Sequence, residues 1–182
     1  DERCFTLMAL YQPTAGDLRF LIAAVKIISD LERIGDQAIN IVESSEELLK
    51  EPPVKPLIDI PRMANLAQGM VHSSLKAFVQ ADITLARSVL VSDDEVDALR
   101  DQIARELVTF MIGDPQTITR ALQLILIARY LERIADHATN IAEDVIFMAQ
   151  GRDVRHHALD EELAGESPLT NDLASPANPQ TG

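Results

Sequence analysis

The chain has 182 residues, enough to bury a sizeable core as one large domain or two small ones. Its 16 Lys and Arg stand against 29 Asp and Glu, a formal charge of -13, with no basic cluster and no interleaved aromatic platform, which argues against direct nucleic-acid binding. Hydrophobic residues make up 47% but aromatics only 4%, with no Trp, so the core must be built from Leu, Ile, Val, Ala and Met, a composition of packed helices rather than sheet.

The carboxylate excess implies bound cations or a basic protein partner. The longest apolar stretches, Phe20 to Val25 and Leu124 to Ala128, are far shorter than the about 20 residues a membrane-spanning helix needs, so no direct membrane insertion is expected.

In chain order, the sequence opens at Asp1-Glu2-Arg3, without Met and already in a helical pattern that runs to Leu10, so it reads as a fragment. Cys4 is the only cysteine; it reads as a buried small apolar residue in a reducing cytosol, with no disulfide framework. Thr14-Ala15-Gly16-Asp17 has the form of a capping box opening a long helix. Along it Leu21, Val25, Ile28, Leu31, Gly35, Ala38 and Val42 recur at spacings of three and four, an apolar stripe.

Glu51 to Pro61 holds four of the nine prolines and reads as a linker, set at 51–60. A helix opening near Asp59 carries Met63, Leu66, Met70, Ser74 and Phe78, and another from about Asp82 to Met111 carries Ala86, Val89, Val96, Leu99, Ile103, Leu107 and Phe110. Asp114-Pro115 then sets a capping carboxylate before a Pro at the first helical position. The helix that follows has the stripe Leu124, Ala128, Leu131, Ala135, Ala138 and Ala142. Residues 61–157 thus read as a three-helix unit, and the Pro-containing segment 158–182 as a disordered tail.

Two of these helices carry one motif, offset by one hundred residues. Residues 31–43, LERIGDQAINIVE, match residues 131–143, LERIADHATNIAE, at nine of thirteen positions, including Glu, Arg, Asp and Asn that shared helical geometry does not explain. Duplication is the better explanation. Glu32 and Asp36 are one helical turn apart on the shoulder of their stripe, and Glu132 and Asp136 repeat this. Asp93 and Asp97 form a third pair on the preceding helix, and packing the two stripes of the second half together brings these pairs toward one seam. Oxygen donors without His or Cys suit hard cations: Mg, Mn, Ca, or iron in a carboxylate-rich cluster. Asn40 and Asn140, one turn further on, could add an amide oxygen or orient a carboxylate. Arg33 and Arg133 read as clamps on neighbouring carboxylates, and His137, nearly opposite its stripe, as solvent-exposed. The competing reading is of solvated carboxylates with exposed salt bridges, a metal-free helical adaptor. A di-metal carboxylate enzyme of the ferritin-like type needs Glu-x-x-His on two helices, and the residues three after Glu32 and Glu132 are Gly35 and Ala135. No phosphate loop, nucleophile elbow or Cys/His pairing marks another enzyme.

The duplicated Leu-Glu-Arg-Ile-Gly/Ala-Asp block, Gln12-Pro13 followed by Asp17-Leu18-Arg19, the run Asp93-Asp94-Glu95-Val96-Asp97 and the segment Gly151 to His156 together resemble the PhoU family over residues 1–157. The resemblance implies an all-α fold, a tandem repeat of two three-helix bundles, with residues 1–50 as the C-terminal part of a first bundle truncated at its N-terminus. It also implies multinuclear metal clusters (Mg, Mn or Fe) held by Glu/Asp-x-x-x-Asp motifs on neighbouring helices. The metal residues so carried over are Glu32, Asp36, Asp93, Asp97, Glu132 and Asp136. The implied function is that of a cytoplasmic, non-enzymatic negative regulator of the phosphate-starvation response, coupling the phosphate ABC transporter ATPase to its sensor histidine kinase, as a homodimer. The first half lacks a counterpart of Asp93 and Asp97, so its site is expected to be incomplete.

Overall fold

The computed structural model describes residues 2–150, which form five α-helices and one short 3-10 turn, with no strand among the described residues. In order these are α1 (Glu2–Tyr11), α2 (Ala15–Leu48), α3 (Asp59–Gln80), α4 (Ile83–Gly113), the turn Pro115–Thr117 and α5 (Ile118–Gln150). The fold is all-α, as the stripes require.

Local signals set the boundaries. Asp82 caps α4, its side chain accepting from the Leu85 amide at 3.0 Å, and Asp114 accepts from Gln116 at 3.0 Å ahead of α5. Ala81 closes α3 in the left-handed region at φ 50°. The expected capping box at Thr14 does not form: Thr14 is the N-cap of α2 but makes no side-chain cap bond, and only its carbonyl accepts, from Asp17.

Helices α3, α4 and α5 close a bundle whose core holds Met63, Met70, Val89, Val96, Ile103, Leu107, Leu124, Leu131 and Val145 among others. Phe110 alone of the α4 stripe stays exposed, at the end of the helix. The linker is fastened to this bundle: Arg120 Nη1 donates to the Pro52 carbonyl at 2.6 Å, and the buried Lys55 ammonium pairs with Glu106 and with Asp59.

Helix α2 lies antiparallel along α5. Arg19 Nε donates to the Met148 carbonyl (3.2 Å), Lys26 pairs with the buried Asp144 (3.1 Å), and Asp30 meets His137 (2.8 Å), so partner numbers fall as α2 advances. This register brings Ile34 opposite its repeat mate Ile134, relating the two motif copies by a local two-fold. The face α2 uses is Ala23, Ile27, Ile34, Ile41 and Ser44, whereas Ile28, Leu31, Gly35, Ala38 and Val42 of its expected stripe are exposed. On α5 both equivalent faces are buried: Ile127, Ile134 and Ile141 beside Ala128, Leu131, Ala135, Ala138 and Ala142. Among the described residues helix α1 contacts α2 alone and buries no residue, so Cys4 is partly exposed rather than buried as expected.

Candidate metal centre

Antiparallel packing of α4 on α5 sets Asp93 and Asp97 against Asp136 and Glu132. Val96 and Leu99 on one side and Ala128, Leu131 and Ala135 on the other are buried between the helices, which leaves the carboxylates on the shoulder of the contact. Their charges act on one another. The Asp93 carboxyl is raised from its ordinary 3.8 to about 6, first by partial burial and then by Asp136, Asp97, Asp94 and Glu132. Asp136 sits at the exposed lip of the seam but is raised too: neighbouring protein strips part of its hydration, and Glu132 and Asp97 repel its charge, while His137 and Arg100 partly compensate.

One cation lies within this group. Arg100 Nη1 donates to Glu132 across the seam and stands 3.5 Å from Asp97 Oδ1 on its own helix, while its Nε and Nη2 grip Asp101 at 3.0 and 2.9 Å. Partial burial opposes the guanidinium charge, but Asp101 and Glu132 outweigh it and hold Arg100 protonated. The sequence reading missed this residue and gave the clamping role to Arg33 and Arg133, which are exposed and make no ion pair among the described residues. The available signal was the three-residue spacing from Asp97 to Arg100.

The donor set fits a hard oxygen-seeking cation: four carboxylates, two from each helix, whose mutual repulsion a positive ion relieves. Among the described residues, however, no three acidic, His or Cys side chains already converge as a ligand cage. Glu132 is instead bonded to Arg100.

The other sequence candidates lie elsewhere. Glu32 and Asp36 are exposed on α2, whose backbone among the described residues runs against α1 and α5 only, so no acidic helix of the described residues faces them. Asn40 is partly buried, and Asn140 donates to Asp30 at 3.4 Å across the α2–α5 contact. His137 is not solvent-exposed as expected: its ring is 17% exposed and bonded to Asp30, because the side of α5 opposite the bundle is the side α2 covers.

A raised carboxyl pKa has a definite consequence in chelator-treated protein. Folded Asp93 binds its proton more tightly than the unfolded chain does, so its contribution to stability falls as pH rises from 3.8 to about 6. Urea unfolding of wild type and Asp93→Asn across that window is expected to show wild type losing ground steadily; equal slopes would contradict the repulsion.

The fold and the seam thus define a class: an all-helical bundle protein presenting paired carboxylates on adjacent helices. The PhoU domain family model matches residues 1–45 and 60–145, and the chain belongs to the PhoU family. It is 46% identical over 162 residues to the phosphate-specific transport system accessory protein PhoU homolog of Aquifex aeolicus, covering 89% of this chain and 73% of that protein. To the homolog of Pseudomonas aeruginosa it is 42% identical over 160 residues, covering 87% and 66%. The crystal structure of PhoU from Pseudomonas aeruginosa superposes with a TM-score of 0.81 at 41% identity, over 84% of this chain and 73% of that one. That of the phosphate transport system regulatory protein PhoU from Streptococcus pneumoniae gives 0.74 at 29% identity, over 84% and 71%. The chain therefore spans between 66% and 73% of the two sequence relatives' own length.

Proposed function

We propose that this chain is a metal-binding, non-enzymatic regulator of phosphate uptake, acting in the cytoplasm with the phosphate ABC transporter ATPase and its sensor histidine kinase to hold the phosphate-starvation response off when phosphate is plentiful. The observation that carries the reading is the pair of carboxylate pairs facing across the α4–α5 seam of a PhoU-family chain. Its relatives are named as accessory proteins of the phosphate-specific transport system. Asp93, Asp97, Glu132 and Asp136 hold the cation in this reading, and Mg, Mn or Fe supplies counter-charge that ties the two helices together. Glu32, Asp36 and Asn40 serve an equivalent site once an acidic helix covers α2. The uncovered face of α2 supports self-association, as in a homodimer. No helix of the described residues is long and apolar enough to cross a membrane; in this reading the transporter is engaged through protein contacts.

The metal-free adaptor draws on the ion pairs of Arg100, which already neutralise part of the seam. A phosphate-starvation reporter in a host lacking the gene separates the two readings. The protein is expected to restore repression in high phosphate, and Glu132→Gln/Asp136→Asn to leave the reporter on; equal repression by both favours the adaptor.

A further inference from the structure

Arg100 stands where an incoming cation has to act. Its guanidinium bonds Glu132 from α5 and lies 3.5 Å from Asp97 on α4, one carboxylate from each pair, and its other two nitrogens are anchored on Asp101. Cations compete for carboxylate oxygens, and a guanidinium making several charge-assisted bonds at once is a strong competitor. Glu132 is bonded to Arg100 while its charge still acts on Asp93 and Asp136.

Beside Arg100, one turn further along the seam, lies a cavity of about 300 Å³ lined by Arg100, Ala104, Ile125, Ala128, Arg129 and Glu132. Ala104 of α4 and Ala128 of α5 both line it, and their small side chains leave room for a long one. Arg100 is itself one of the residues that line this opening, so a long flexible side chain rooted there has space beside the seam to move into.

We infer that Arg100 is a built-in competitor for the metal, a latch that pairs with Asp97 and Glu132 in the metal-free protein and must swing into the Ala104–Ala128 cavity before these carboxylates can ligate a cation. The inference rests on the metal-binding reading above. Metal affinity at the seam is then set by an exchange of one cation for another, and the latch keeps weakly available ions from filling the site. It also gives the metal-free seam part of its neutrality, so the helices stay packed in both states.

Titration of chelator-treated protein with Mn²⁺ by calorimetry tests this, with thermal unfolding of each apo variant as a check on folding. Arg100→Ala is expected to bind Mn²⁺ more tightly, on the order of tenfold. Arg100→Lys, which keeps the charge but loses the planar fork, should fall between. Arg133→Ala removes a charge next to Glu132 in sequence that is exposed and makes no ion pair among the described residues, and should change affinity by under about threefold. Apo Arg100→Ala should melt lower than apo wild type, while its Mn²⁺-induced rise in Tm should be larger. Equal or weaker affinity in Arg100→Ala, or an equal gain in Arg133→Ala, overturns the latch. If wild-type binding is abolished by Glu132→Gln/Asp136→Asn yet untouched by Arg100→Ala, the metal site stands and the latch alone falls. If neither wild type nor any variant binds Mn²⁺, the metal reading falls and the latch with it.

Discussion

Replacing Glu132 with Gln and Asp136 with Asn is expected to lower divalent-metal affinity by at least on the order of a hundredfold, since losing an outer partner of a ligand already costs about ten- to hundredfold and here two direct ligands lose their charge. Both replacements keep shape and hydrogen-bonding capacity, so the bundle should fold as before. Apo stability should change little for the pair: relief of the repulsion felt by Asp93 offsets the weakened bond from Arg100 to position 132. Asp136→Asn alone leaves that bond intact and should stabilise the apo protein at neutral pH. Calorimetric titration and thermal unfolding of the three proteins check both statements. Unchanged affinity in the double variant would remove the seam as the metal site.

The second expected result uses the duplication as an internal control. Ala38 and Ala138 occupy the same place in the two motif copies, but Ala138 is 0% exposed in the bundle while Ala38 faces outward on α2. Ala138→Asp forces an unpaired carboxylate into an apolar interior and should cost several kcal/mol, roughly 3 or more, a large part of a typical domain's stability. Ala38→Asp should cost less than about 1 kcal/mol in dilute protein. At higher concentration the Ala38 change should instead act on association: the stripe Ile28, Leu31, Gly35, Ala38 and Val42 is an uncovered apolar face, and a charge in its middle should disperse self-associated protein. Sedimentation and chemical unfolding read the two effects separately. Equal destabilisation by both substitutions at low concentration would mean that α2 is covered as fully as α5.

The same contrast marks what the sequence could and could not convey. The stripes of α3, α4 and α5 were legible because each lies on the face that closes the bundle; Met63, Val96 and Ala135 fall where the spacing puts them. On α2 the spacing picked out Leu21 to Val42, yet contact with α5 uses Ala23, Ile27, Ile34 and Ile41. Both are apolar faces of one helix, and periodicity within a single element cannot say which neighbour is present to cover each. His137 was misread for the same reason: it lies opposite the bundle stripe, which is where α2 packs, and Asp30 meets it there. The carboxylate pairs were legible because i, i+4 spacing fixes their common face, and the duplication set them apart from ordinary surface charge. Arg100 was not, because its role depends on Glu132 across the seam, a partner 32 residues away that only tertiary packing supplies.

The most direct measurement is elemental analysis of the protein purified without chelators, alongside the Glu132→Gln/Asp136→Asn variant prepared identically. Wild type is expected to carry Mn, Fe or Mg in stoichiometric amount and the variant to carry much less; wild type devoid of metal, and silent when titrated with Mn²⁺ and Mg²⁺, would contradict a metal centre at the α4–α5 seam.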